Sequence, residues 1–267
     1  MPSGPRLLVA SALVVAALLL GILGYVGGSF VAMRAHVEPR PRGRAVREAL
    51  REIGWSVLTQ PLLPLFYVVG RRLARGAGTP VVAVHGYSQN RVDFLRIARA
   101  CAAAGLGPVY GFNYPWFATI EGNARRLARF VERVCRETGA PRVQIVAHSL
   151  GGLVTMEYLA RGGDARVERL VTIASPHAGV AWPGPIPGAA GSMMRAGSAF
   201  LRAHAGRPVP VPSLSIYSSH DNVVHPPRTS ALAHRGGRDR MVAHLGHLAI
   251  LFDAEVAREV VEFLRAA

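Results

Sequence analysis

From residue 80 onward, short β-branched runs alternate with stretches of helical periodicity, and this alternation restricts the fold more than any other feature. Val81–Val84 leads into Arg91–Ala104, which stops at Gly105, and Val109–Phe112 leads into Glu121–Thr138, which stops at Gly139. Val143–Val146 feeds Gly152–Arg161, and Val167–Ile173, Leu214–Tyr217 and Arg240–Val242 are three further runs. Phe252–Ala266 closes the chain, with apolar residues at Val256, Val260, Val261 and Leu264. Such alternation predicts an α/β fold, a mostly parallel sheet of about six strands covered by helices on both faces. The residues from Thr79 onward, about 190 of them, suffice for one globular domain with a substantial core.

A parallel sheet concentrates chemistry at the carboxyl ends of its strands. The polar residues that follow the runs are His85, Ser149, Ser175-Pro176-His177, Asp221 and, beyond the sixth, His247. Ser149 is the most telling. Val143–Val146 breaks into Ala147-His148-Ser149-Leu150-Gly151 and then into a helix-like segment, the sequence form of a nucleophile elbow. Strand and helix nearly touch at such a turn, so the residues two before and two after the serine must be small. Here they are Ala147 and Gly151, with alanine standing where the strict pattern has its first glycine.

Four motifs occur in order: Val84-His85-Gly86-Tyr87, Ala147-His148-Ser149-Leu150-Gly151, Ser215-Ile216-Tyr217-Ser218-Ser219-His220-Asp221, and Leu245-Gly246-His247-Leu248. On these motifs residues 79–267 resemble the α/β-hydrolases of the lipase and esterase type, in outline the small bacterial triacylglycerol lipases. The first 78 residues lie outside the resemblance. It implies a Ser-acid-His triad in chain order, which Ser149, Asp221 and His247 satisfy. Of the aspartates Asp93, Asp164, Asp221, Asp239 and Asp253, only Asp221 directly follows a strand between Ser149 and a late histidine. A plain turn aspartate before Asn222 is its alternative reading. His244 is the rival base; His220, His225 and His234 lie near Asp221 in the chain.

The resemblance further implies that the amides of Tyr87 and Leu150 form an oxyanion hole. His85, Gly86, His148, Pro176, His177, Met193 and Met194 are expected around the substrate site, with His148 supporting the elbow. The implied function is a serine carboxylic-ester hydrolase working through an acyl-enzyme on lipid or other apolar acyl esters. A triad acting on thioesters, amides or acyl transfer is one alternative, and a non-catalytic membrane-tethered binding protein another. No metal or organic cofactor is called for. Cys101 and Cys135 are expected as free thiols on opposite faces of the sheet, if the strand order reverses between them as in the family. Val180–Val211, rich in Gly, Pro and small apolar residues, reads either as a flap over an acyl pocket or as a long connection with a core-packed helix.

The formal charge of +15 is carried by arginine alone, without one lysine. The arginines are scattered and fall in no nucleic-acid motif; Arg125, Arg129, Arg133 and Arg136 form the wet face of one helix. Nucleic acid is therefore not an expected partner, whereas an acyl ester or lipid and a membrane are. Leu7–Met33 is free of charge and long enough to cross a bilayer. A signal peptide competes, but its apolar region is usually only about 7–15 residues. Residues 1–33 are thus expected as an uncleaved anchor in a bacterial inner membrane, residues 34–78 as a basic linker with a second apolar segment, and residues 79–267 as the catalytic domain. The second run, Ile53–Gly70, is interrupted by Pro61 and Pro64 and reads as a crossing, an interfacial helix or a piece packed on the domain. One crossing would leave the domain cytoplasmic, two would place it outside.

Overall fold

All six β-branched runs form strands, and a seventh joins them from the segment ahead of Thr79. In this computed structural model, which describes residues 4–266, the strands are β1 (Arg72–Ala74), β2 (Val81–Val84), β3 (Val109–Phe112), β4 (Val143–His148), β5 (Val167–Ile173), β6 (Ser213–Ser218) and β7 (Arg238–Val242). Residues 1–3 of the expected anchor and Ala267 lie outside the described residues. The sheet runs β1-β3-β2-β4-β5-β6-β7. β1 is antiparallel to β3 at one edge and every other pairing is parallel. β2, β3 and β4 are buried along their whole length, because helices cover both faces; hence continuous apolar runs and not alternation.

The helices are α1 (Gly4–Met33), α2 (Arg42–Thr59), α3 (Leu63–Val68), α4 (Leu95–Ala103), α5 (Ile120–Thr138), α6 (Leu150–Ala160), α7 (Gly188–Met193), α8 (Ala199–His204) and α9 (Ala254–Arg265). Val82, Val84 and Ile145 point to the face covered by α5 and α6, while Val81, Ala83 and Val146 point to the face covered by α4 and α9. That is the two-residue period of a strand. β3 lies on one side of β2 and β4 on the other, so successive crossovers of one hand place α4 and α5 on opposite faces. Cys101 and Cys135 accordingly fall in different core clusters, each as a free thiol. Arg125, Arg129, Arg133 and Arg136 are exposed. The helix expected from Arg91 starts as a 3₁₀ turn, Arg91–Phe94, because the Asn90 side chain accepts from Val92 N.

The Val180–Val211 stretch holds α7 and α8, and it is packed: Met194 and Leu201 are buried in the α5/α6-side core, with Met193 against it. Residues 34–78 are equally bound to the domain. α1 and α2 form a hairpin that joins Ile22, Val26, Phe30 and Met33 to Ala49, Ile53 and Val57. Among the described residues one helix is long and apolar enough to cross a membrane, with its apolar window at Val15–Met33. The Ile53–Gly70 run is broken into the end of α2, a 3₁₀ turn at Gln60–Leu62 and α3. It packs on the domain, Trp55 stacking on Phe252 with ring centroids 4.0 Å apart.

Candidate active site

β4 delivers Ser149 at the middle of the sheet. The residue takes φ 52° and ψ −125°, a left-handed backbone that a serine rarely adopts. Its own amide donates to Ile173 O of β5 at 2.9 Å, which holds the sharp turn. On the far side α6 begins at once, so Leu150 is the first helical residue and its N–H has no carbonyl partner inside the helix. The close approach read from the sequence is real at Gly151, where an added Cβ would lie 2.3 Å from Val84 O and 2.6 Å from His85 O.

Asp221 follows β6. Its Oδ1 accepts from Val223 N and Val224 N, each at 2.8 Å, so it is indeed a turn aspartate. Those two amides leave Oδ2 free to face His247. The His247 Nδ1–H donates to Asp221 Oδ2 at 2.9 Å, and Ser149 Oγ–H donates to His247 Nε2 at 2.9 Å. Hydroxyl, imidazole and carboxylate thus form one chain of hydrogen bonds, from residues 72 and 26 positions apart in sequence. Ser149 is only 5 % exposed and His247 8 %. The rival histidine His244 lies outside this chain; its ring meets Arg44 Nη1 at 2.9 Å and Glu48 at 3.2 Å.

Burial alone would pull the His247 imidazole down, but the charge and hydrogen bond of Asp221, with the charge of Glu52 behind them, raise it above the ordinary value. The other buried rings move the opposite way. Burial, then the charge of His247, takes His148 well below the usual range. Burial brings His85 to about 4 and His177 to about 3. Only His247, among these four, gains affinity for a proton.

His148 lies beneath the elbow, its Nδ1 2.8 Å from Gln89 Oε1 and its Nε2 2.9 Å from His247 O. A neutral imidazole carries one N–H, so it donates to one of these acceptors at a time. Gly86 N donates to the same Gln89 oxygen at 2.9 Å, tying the β2 exit to the elbow. Gly86 is needed here, because a Cβ would come within 2.9 Å of Ser149 Cβ. His85 is turned inward: Nδ1–H donates to Gly86 O at 2.9 Å, Nε2 accepts from Tyr114 N at 3.3 Å, and the ring stacks on Tyr114. Tyr87 reaches the α7 region, its hydroxyl donating to Pro187 O at 2.8 Å. Pro176 is buried, and His177 Nε2 meets Thr172 Oγ1 at 3.1 Å. Met193 Sδ accepts from Ile120 N at 3.4 Å, and Met194 is buried.

Two residues that place His247 were not legible in the sequence. Asn222 Oδ1 accepts from His247 N at 2.8 Å. Glu52 of α2 accepts from Leu248 N and Ala249 N, one on each carboxylate oxygen, at 2.8 Å. Burial pushes the Glu52 carboxyl up in spite of those amides. The one signal is the spacing of Glu48, Glu52 and Ser56, a polar stripe at one helical turn that is buried on α2. A buried polar face needs partners, and here Glu48 meets Arg40 and His244 while Glu52 meets the two backbone amides. Glu52→Ala would leave two buried amides unsatisfied, a cost of about 1–3 kcal/mol for each, and loosen the His247 loop. The expected result is turnover lower by about 10- to 100-fold with little change in KM. Steady-state kinetics on a short ester check this, and an unaltered kcat would count against the positioning role.

A family profile described as the alpha/beta hydrolase fold matches residues 79–193. Among curated proteins, a triacylglycerol lipase of Burkholderia plantarii is 30% identical over 154 residues, covering 52% of this chain and 43% of that protein. A triacylglycerol lipase of Pseudarthrobacter phenanthrenivorans is 33% identical over 108 residues, covering 38% and 34%. The chain therefore spans less than half the length of these curated relatives. Of solved structures, Aspergillus fumigatus lipase B aligns with a TM-score of 0.61 at 16% identity, over 71% of this chain and 53% of that one. The mature Bacillus licheniformis lipase BlEst2 aligns with a TM-score of 0.59 at 16% identity, over 72% and 93%. At that identity the likeness is one of fold.

Proposed function

This chain has the alpha/beta-hydrolase fold, and from that premise we propose that it is a serine carboxylic-ester hydrolase acting on lipid or other apolar acyl esters. The unbroken 2.9 Å links from Ser149 through His247 to Asp221 carry the reading. As Ser149 Oγ attacks the ester carbonyl carbon, its proton passes to His247 Nε2. Asp221 holds the ring in the tautomer that leaves Nε2 free and stabilises the imidazolium that forms. The carbonyl electrons move onto oxygen, where the Leu150 and Tyr87 amides are the donors assigned to receive them. Collapse expels the alkoxide, which takes the proton from Nε2 and leaves as alcohol. Water then loses a proton to His247 Nε2 as it attacks the acyl carbon. The bond to Ser149 Oγ breaks to release the carboxylic acid, and His247 gives that proton to Ser149 Oγ. The triacylglycerol lipase names of the relatives and the apolar α1 favour apolar acyl groups.

We read α1 as a retained membrane anchor. Ile22, Val26, Phe30 and Met33 are buried against α2, and Asn222 Nδ2 donates to Ser29 Oγ at 2.7 Å. Loss of α1 would uncover that surface beside the residue that holds His247. Residues 34–78 are then part of the working unit, because Glu52 lies there.

Two measurements test the reading on the full chain. A fluorophosphonate should label Ser149, and p-nitrophenyl esters should be hydrolysed; absence of both would overturn it. The pH profile tests the assignment of the base. His247 must be neutral to accept a proton, and its pKa is raised, so kcat/KM should climb with pH through a value above about 6.5 and then level off. Stability runs the other way, the contribution of the His247–Asp221 pair being full below about 6.5 and lost as pH rises through the folded-state pKa. Glu52→Gln removes a charge that raises His247, so the rising limb should move to lower pH.

A further inference from the structure

Apart from α1, exposed large apolar side chains lie at Val46, Leu50 and Leu58 along α2, at Met241 on β7, and in a denser group beyond the end of α2. Leu62, Leu65, Tyr67, Val68 and Val69 follow α2, and Phe117 follows β3; Val68 is 84 % exposed. The backbone beneath them is pinned over the carboxyl ends of β2 and β3. Asn90 Nδ2 donates to Leu63 O at 2.6 Å, Arg91 Nε to Phe66 O at 2.7 Å, and Asn113 Nδ2 to Phe66 O at 2.9 Å. Polar groups of the rim thus satisfy α3 from below, while its apolar side chains face outward on the side of the sheet that carries Ser149.

α1 leaves the globule at this same rim. Its last turns are packed, with Ser29 on Asn222 and Tyr25 stacked on Trp182 at 6.1 Å between centroids. Trp182 follows β5 and Asn222 follows β6, so both contacts lie at the carboxyl ends of strands. Before Ile22 the described side chains of α1 from Val15 onward are exposed. Residues 4–21 rise about 27 Å, close to the ~30 Å of a hydrocarbon core. Tyr25 and Trp182 stand where that length ends, the level at which aromatic side chains collect at a bilayer surface. The eight-residue connection Arg34–Pro41 makes α1 and α2 antiparallel neighbours, which turns the end of α2, and with it α3, back toward this level.

We propose that this rim is a bilayer-contact surface, and that the site draws its acyl ester from the leaflet at which α1 leaves the globule. The inference rests on the ester-hydrolase reading and specifies its substrate as a long-chain glycerolipid resident in the membrane. A bilayer is the occupant because the apolar helix that would enter it is packed on residues that follow β5 and β6, while the exposed apolar side chains of α3 sit over the same carboxyl edge of the sheet. The net charge of +15 adds attraction to an anionic leaflet.

The test uses the full chain in vesicles of phosphatidylethanolamine and phosphatidylglycerol. A polarity-sensitive fluorophore is placed on Val68→Cys, and for comparison on Met241→Cys, an exposed position on β7; Cys101 and Cys135 are buried. Lipids carrying a nitroxide on the acyl chain should quench the probe at 68 and spare the one at 241. Equal quenching at both sites would overturn the rim assignment. Dioleoylglycerol in the enzyme's own vesicles should be hydrolysed about tenfold faster than in separate vesicles, and Leu65→Asp with Val68→Asp should bring that ratio toward one. Equal rates from the two vesicle populations, with p-nitrophenyl acetate still hydrolysed, would sink the bilayer inference alone. If neither ester is cleaved, the hydrolase reading fails, and quenching still decides the rim.

Discussion

Replacing Ser149 with alanine should lower ester turnover by about 10⁵-fold or more and abolish fluorophosphonate labelling, while the fold survives. The hydroxyl donates one hydrogen bond, to His247 Nε2, and its removal leaves the turn intact, because Ser149 N still donates to Ile173 O. His247 keeps its place through Asp221, Asn222 and the Glu52-capped loop, none of which needs the serine oxygen. Turnover and unfolding midpoint, measured side by side on wild type and variant, separate loss of the nucleophile from loss of structure. A variant that still hydrolyses p-nitrophenyl esters at the wild-type rate would show that the attacking group lies elsewhere.

Gly151→Ala is the expected counterpart on stability. The new methyl would come 2.3 Å from Val84 O, 2.6 Å from His85 O and 2.9 Å from Val84 C. All three are backbone atoms at the exit of β2, which cannot rotate away as a side chain can. Either α6 must lift off the sheet or the β2 exit must shift, and with it the Gly86 amide bonded to Gln89. Overpacking of this kind costs about 3 kcal/mol, so the urea midpoint should fall and turnover with it. Gly152→Ala is blocked as well: Ser175 Oγ could turn away from the new methyl, but Ser175 Cβ, 2.6 Å away, is fixed to its backbone. If the Gly151→Ala midpoint matched that of wild type, the tight approach of α6 to β2 would be disproved.

The same contact explains why alanine serves at position 147. Ala147 is a strand residue whose Cβ is already part of the packed α5/α6-side core. The backbone of β2 bears on position 151, the second residue of α6, and of the two small positions that is the one where glycine is demanded. A pattern of two small residues was readable from the chain; which of them tolerates a methyl depended on where a different strand lies.

Strand runs and the outward face of α5 follow from local periodicity, the polar residues after the strands from the tendency of parallel strands to end on one rim, and the order of Ser149, Asp221 and His247 from the motifs that resemble lipases and esterases. They could be read because each rests on neighbours in sequence. Choosing His247 over His244 required distance: three residues apart, one ring meets Ser149 and the other meets Arg44. β1 was beyond reach for a similar reason, since Arg72-Leu73-Ala74 has no β-branched residue and is a strand only because β3 offers an edge. Glu52 is the clearest case. It accepts from amides 196 and 197 positions away, and a backbone N–H that lacks a partner leaves no mark on the amino-acid string. Periodicity is written along the chain and survives without coordinates; the pairing of a buried donor with a distant acceptor exists only once the chain has closed on itself.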